Sequence, residues 1–204
     1  TSAGDLWKEL DEVSGRDIGG LMKKWLNHPG YPVVEIKHIP GSNEATLTQH
    51  RFVIGPVSDD ASMQMHWDVP LAGSTALAPD TLSTKKAMVK LVKNDSTAHP
   101  LILNHESASY FVAHYQSEEH FLAIKHAIAA GSVSTIDRLQ LLTSYILLQR
   151  GAVIKTTAVL DLLSVYVDES EEPVWSNIAS ALEEARRLIV GNKQAEKQLN
   201  NFIA

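Results

Sequence analysis

The sequence predicts a multidomain chain of α and β parts: a short N-terminal helical tail, an antiparallel β-sandwich, then C-terminal α-helical hairpins stacked as a solenoid. Three observations carry this reading. Apolar residues recur at three- and four-residue steps before Asn27, follow short strand-like runs from Val33 to about Asn104, and return to helical spacing after Ser117. The first change of regime is abrupt. His28-Pro29-Gly30-Tyr31-Pro32 holds two prolines and a glycine, which remove donors, fix φ and permit a sharp turn, so no helix crosses it. Lastly, no helical stretch separates the candidate strands, which favours antiparallel pairing over a parallel sheet with crossover helices. The expected domain limits are 1–30, 31–105 and 106–204.

Composition narrows the function classes. At 204 residues and 44% hydrophobic, the chain can bury a core in one or two domains. A net charge of −6, without clustered Lys and Arg, argues against a nucleic-acid partner. The absence of cysteine removes disulfides and thiolate ligands without deciding the compartment. No run approaches the ~20 apolar residues of a membrane span, and no charged-then-apolar signal segment opens the chain. Localisation stays open, with the cytoplasm slightly favoured.

In the tail, Ser2 and Asp5 have the spacing of a capping box, and Leu6, Trp7, Leu10 and Val13 share one helical face. Ser14-Gly15 breaks that helix. Asp17 can cap a second, in which Ile18, Leu21, Met22 and Trp25 recur at helical steps. Two helices this short need a further surface to cover their stripes.

The β region offers five strands: Val33–His38, Ala45–Ile54, Met63–Val69, Ala87–Val92 and Leu101–Asn104. Breakers such as Pro40-Gly41-Ser42-Asn43, Gly55-Pro56, Gly73-Ser74 and Asn94-Asp95-Ser96 separate them. One more strand-like run, Tyr110–Tyr115, precedes the helices. These are expected at Ser117–Ala130, stopped by Gly131; Ser134–Gln149, stopped by Gly151; Thr157–Val167; Pro173–Val190, with Pro in the first turn; and a last polar helix running to Phe202. Short links between them suggest hairpin stacking of the HEAT/armadillo-like kind.

Chemistry is sparse. His105-Glu106-Ser107-Ala108-Ser109 begins like the His-Glu-x-x-His of zinc peptidases, in which two His four apart on one helical face hold the metal. The fourth position after His105 is Ser109, so a lone imidazole remains. The other histidines read as scattered. His50 and His66 lie on strands, and His120 and His126 are six apart and do not share a helical face. No Gly-x-Ser-x-Gly elbow or phosphate loop is present, since Gly19-Gly20 lies inside a helix. We therefore assign no catalytic, cofactor-binding or metal-binding residue.

Four stretches in order nevertheless resemble one family. They are Asp5-Leu6-Trp7 through Val13-Ser14-Gly15-Arg16-Asp17-Ile18, Met22, Trp25 and Gly30-Tyr31-Pro32-Val33; Leu47-Thr48-Gln49-His50-Arg51-Phe52 with Trp67-Asp68-Val69-Pro70-Leu71; Asn104 followed by Ser109-Tyr110-Phe111-Val112-Ala113-His114-Tyr115; and Asp137-Arg138-Leu139-Gln140-Leu141 through Gly151. Together they resemble the zinc-dependent aminopeptidases that include aminopeptidase N, the endoplasmic-reticulum aminopeptidases and the tricorn-interacting factors. Ser109 stands where that family usually has Gly, and Val112 where it often has Arg.

The resemblance implies that residues 1–30 are the tail of a thermolysin-like catalytic domain, 31–105 a β-sandwich domain, and 106–204 the beginning of a helical domain. The family's Gly-x-Met-Glu-Asn and His-Glu-x-x-His motifs precede the Asp-Leu-Trp stretch and are not in this sequence. The chain is thus expected to be a non-catalytic fragment, with zinc held elsewhere in its parent. Its partners would be the rest of the parent polypeptide, and peptide substrates would belong to the parent. Surfaces bared by truncation could drive self-association. The alternative is a free-standing interaction module of β-sandwich plus helical hairpins.

Overall fold

In a computed structural model, residues 2–39, 41–55, 65–92 and 100–203 are described. They form seven α-helices, a five-stranded mixed sheet and a two-stranded sheet. The tail helices are α1 (Ala3–Ser14) and α2 (Ile18–Asn27). Ser2 and Asp5 form the capping box at the start of α1, Gly15 ends it in a left-handed conformation at φ 66°, and the Asp17 carboxylate accepts the Gly20 N–H to start α2.

The large sheet is built from β1 (Pro32–His38), β2 (Glu44–Arg51), β4 (Leu77–Ala78), β6 (Lys86–Leu91) and β7 (Val112–Tyr115), in the order β4-β6-β2-β1-β7. β3 (Val69–Pro70) and β5 (Thr81–Leu82) pair as the small sheet. Burial alternates along β2: Ala45, Leu47 and Gln49 are inside, and the residues between them are half-buried. The expected antiparallel pattern holds for β1–β2, β2–β6 and β4–β6. It fails at β7, which lies parallel to β1 with Val33 opposite Val112 and Ile36 opposite Tyr115.

Three strand assignments change. β2 stops at Arg51 rather than Ile54, with one further in-register rung from the Phe52 N–H to the Tyr31 carbonyl at 2.9 Å. In Met63–Val69 only Val69 is in a strand, and Met63 and Gln64 lie outside the described residues. Leu101–Asn104 makes a single bridge, Gly73 with Leu103. Side chains occupy its donors instead: Ile102 N–H goes to Ser74 Oγ at 2.8 Å and Leu103 N–H to Tyr115 Oη at 2.9 Å.

The helices after the sheet are α3 (Glu118–Ala129), α4 (Thr135–Arg150), α5 (Thr156–Leu163), α6 (Glu172–Ile189) and α7 (Lys193–Ile203). Ser134 caps α4 through the Asp137 N–H, and Gly131, at φ 67°, ends the turn after α3. Gly151 acts differently from a left-handed stop. Its φ is −79°, and a Cβ there would lie 2.7 Å from Phe52 Cε2, so glycine is needed to let the end of α4 approach the sheet. α5 ends at Leu163 rather than Val167, and the following turn aims the Tyr166 hydroxyl at the Arg138 carbonyl, 2.9 Å away.

One hydrophobic cluster runs without interruption from Val33 and Leu47 through Leu103 and Tyr115 to Leu142, Leu162 and Ile178. Sheet and helices therefore share a core. Trp67, wholly buried in it, is fixed by Gln49. The Gln49 Oε1 accepts the Trp67 N–H at 2.9 Å, and its Nε2 donates to the carbonyls of Trp67, Thr84 and Leu82 at 2.8, 3.0 and 3.2 Å.

Candidate functional site

Buried polar groups gather where the sheet meets α4. Asn104, 3% exposed, sits in the left-handed region at φ 57°. Its Oδ1 accepts the Ser109 N–H at 2.8 Å and its Nδ2 donates to the Phe111 carbonyl at 3.3 Å, which closes the loop between them. Glu106 and Ser107 follow with φ of 54° and 56°, a conformation that residues other than Gly, Asn and Asp seldom adopt.

Asp137 stabilises that backbone. It is 2% exposed, and its carboxylate accepts the Glu106 N–H at 2.8 Å, the Ser134 hydroxyl at 2.9 Å and the His105 Nδ1 at 2.8 Å. A carboxylate in the first turn of α4 also suits the positive end of the helix dipole. One buried acid thus joins the loop after the core segment 101–104 to the start of a helix 31 residues further on.

His105 and Glu106 lie in a three-residue 3₁₀ turn whose middle residue is left-handed. No continuous helical face exists there, and Ser109 is held by Asn104 instead. Among the described residues, no three His, Asp or Glu side chains are placed to hold a metal ion. The histidines are less scattered than their spacing suggests. His114 Nδ1 lies 3.3 Å from Glu35 Oε1, across the parallel β1–β7 pair, and Gln116 Nε2 donates to Glu35 Oε2 at 2.7 Å. The hydrogen bond to His114 holds the Glu35 carboxyl below the usual range, while burial pulls His50 down despite the nearby Glu35. His120 is buried against Tyr115 with its Nε2 2.8 Å from the Leu101 carbonyl, and burial lowers it too. His66 and His126 are exposed.

A second cluster joins the tail to the sheet. Trp25 is half-buried, with its ring 6.1 Å from that of Trp67 and 6.2 Å from that of Tyr110, and its Nε1–H donates to the Asp68 carbonyl at 3.0 Å. Lys24 pairs with the Asp68 carboxylate at 2.7 Å. Tyr31 packs on Phe52 and Tyr110 at 5.4 and 5.0 Å. Neither α1 nor α2 has a fully buried residue, but α1 makes no such anchoring contact through its apolar stripe, where Leu6, Leu10 and Val13 remain exposed.

Two residues that organise the junction, Asn104 and Asp137, carried no chemical signal of their own in the sequence. Apart from Ser134, three residues before Asp137, their partners lie 5 to 32 residues away and come together only in the fold. Only their positions in the quoted family stretches pointed to them.

The fold and these junctions define a class: a sheet and a set of helices fused through a shared core. The family follows from comparison. Residues 100–204, just over half of the chain, match the model described as ERAP1-like C-terminal domain, and the chain belongs to that family. Across its whole length it is 26% identical to aminopeptidase N of Lactococcus lactis subsp. lactis (strain IL1403). Over 97% of its length it is 29% identical to aminopeptidase N of Lactobacillus helveticus, and over 87% it is 28% identical to tricorn protease-interacting factor F2 of Thermoplasma acidophilum. The chain spans 23%, 23% and 21% of the length of these relatives, so it corresponds to less than a quarter of each.

Proposed function

We propose that this chain serves as a non-catalytic region of a zinc aminopeptidase, a scaffold between the catalytic domain and the helical cap. In this reading residues 1–30 are the last helices of the catalytic domain. The sheets of 31–105 are the two leaves of a small sandwich, completed by β7, and 106–204 begin a solenoid of helical hairpins. The parent would remove N-terminal residues from peptides with a zinc-bound water. Among the described residues no three His, Asp or Glu side chains are placed to hold a metal ion, and in this proposal the metal and the peptide belong to the rest of the parent.

The observation that carries the reading is the two-sided tail. α2 is anchored on the sheet through Trp25 and Lys24, yet α1 keeps Leu6, at 54% exposed, and Val13, at 86%, in water. An amphipathic helix with its apolar stripe uncovered fits a piece whose other side meets a further domain. The test is hydrolysis of amino-acid anilides by the pure chain with zinc added. No turnover is expected, and chelator-sensitive turnover would sink the proposal.

A second reading, the free-standing interaction module, is favoured by the same α2 anchoring, since a module would pack its tail on its own sheet. Light scattering of the chain with and without residues 1–26 separates the two. Association that disappears on deletion supports the scaffold; a monomer that unfolds on deletion supports the module.

A further inference from the structure

His105 is the exposed half of an acid–imidazole pair. Its Nδ1 lies 2.8 Å from an oxygen of Asp137, and the two side chains are 38% and 3% exposed. A carboxylate only accepts, so the pair fixes the ring proton on Nδ1 and leaves the lone pair on Nε2. Nε2 has no hydrogen-bond partner among the described residues and is not buried, so a small molecule can reach it. Other histidines lack a part of this arrangement. His114 has Glu35 at 3.3 Å, but only 16% of its side chain is exposed. His28 Nδ1 lies 2.6 Å from the Lys24 carbonyl, which carries no charge. His66 and His126 are exposed without a carboxylate partner among the described residues.

The chemistry open to such a pair is nucleophilic. When Nε2 bonds to a carbonyl carbon the ring becomes positive, and a carboxylate on Nδ1–H stabilises that charge. A free histidine divides its proton between the two nitrogens, so its Nε2 is available only part of the time, whereas that of His105 is held ready. The surroundings select the electrophile. His105 borders a cleft of about 250 Å³ that has Pro100, Ile102, Ala127 and Val133 in its walls and no Lys or Arg. An anionic acyl donor would be repelled by Asp137 without a compensating cation, while a neutral donor with a short apolar group meets no such repulsion.

We propose that His105 is an acylation site for small neutral acyl donors of the aryl-ester class. Nε2 attacks the ester carbonyl carbon, the bond to the aryl oxygen breaks, and the aryl group departs as a phenolate. Water then attacks the acyl group on the ring, the C–N bond breaks, and the carboxylic acid leaves with the imidazole restored. Asp137 is a positioning residue, which orients the ring and offsets its charge. The inference is independent of the aminopeptidase reading.

The test gives the whole chain p-nitrophenyl acetate and follows release of p-nitrophenolate. In parallel, a limiting amount of diethyl pyrocarbonate is added and the labelled histidines are mapped by mass spectrometry. His105→Gln should bring release down to that of the urea-unfolded chain, in which the same reactive groups are free, and a chelator should leave it unchanged. Diethyl pyrocarbonate should label His105 before His28, His66 and His126. Asp137→Asn should slow labelling of His105 while that of His66 and His126 keeps its rate. The proposal is overturned by equal release from His105→Gln, by loss of release on chelation, by earlier labelling of His28, His66 or His126, or by His105 labelling that a folded Asp137→Asn variant leaves unchanged. If Asp137→Asn does not fold, release and labelling on the unaltered chain and on His105→Gln still decide.

Discussion

Replacing Asp137 by Ala should lower the unfolding free energy by about 4 kcal/mol. The substitution strips three hydrogen bonds from a carboxylate whose side chain is 3% exposed. The Glu106 N–H loses its acceptor, a loss of ~1–3 kcal/mol for a buried donor. Ser134 and His105 recover part of their loss in water, since the His105 side chain is 38% exposed, and they contribute about 1 kcal/mol each. Loss of a carboxylate at the start of α4 adds ~0.5 kcal/mol. With an m-value of ~2–3 kcal/mol/M, the urea midpoint should fall by about 1.5 M. His105→Ala removes only the half-exposed contact and should cost about 1 kcal/mol. Asp137→Ala should also speed amide exchange at Glu106, because the left-handed turn loses its tether. A loss below about 1 kcal/mol for Asp137→Ala, or equal losses for the two variants, would refute the view that Asp137 holds the loop rather than merely pairing with an imidazole.

Three other outcomes follow from the same geometry. Gln49→Leu leaves the Trp67 N–H and up to three carbonyls unpaired, so it should cost ~3–5 kcal/mol and shift Trp fluorescence to the red; an unchanged spectrum would count against it. Gly151→Ala forces a methyl against the Phe52 ring and within 3.2 Å of the Val53 carbonyl, which should cost ~1–3 kcal/mol, seen as a fall in Tm of about 4–8 °C by calorimetry. For pH, His50 and His120 are held below their ordinary value by burial, so the folded state binds fewer protons than the unfolded one there. The associated stability is present above about pH 6.5 and is lost as the pH falls from there through the folded values. Glu35 and Glu169 are lowered mainly by hydrogen bonds from His114 and Arg138, so a second loss belongs below the ordinary carboxylate range of about 4.3. A Tm that is level between pH 7 and 5 would contradict the first stage, and His120→Gln should reduce it.

What could be read beforehand was local. The capping box at Ser2 and Asp5, the Asp17 cap and the stop at Gly15 are chemical features within four residues of their targets, and all are present, whereas the Ser117 side chain makes no cap hydrogen bond at the start of α3. The strand expected over Ala45–Ile54 exists, though it covers Glu44–Arg51. Two-residue strands such as Leu77–Ala78 and Thr81–Leu82 are too short to show a period, and they exist only because β6 and β3 offer them a partner. The parallel register of β7 could not be read because its partner lies about 80 residues earlier. Leu101–Asn104 is apolar enough for a strand, but the hydroxyls of Ser74 and Tyr115 take its donors. The polar junction was hardest to see. Asp137 looks like an ordinary helix-start acid, and only the fold reveals that it also binds a loop 31 residues earlier.

The parallel β1–β7 ladder has a mechanical consequence. β7 is the edge strand of the sheet and leads directly into α3, while β1 follows directly from the tail. A load applied between tail and helices would pull along the strands of this four-residue ladder, whose rungs would have to yield together rather than unzip singly. Single-molecule pulling should therefore find the sheet–helix seam stiffer than the α1 end, which has no buried side chain to resist peeling. A chain joined this way transmits displacement of its tail to its helices as a strut does.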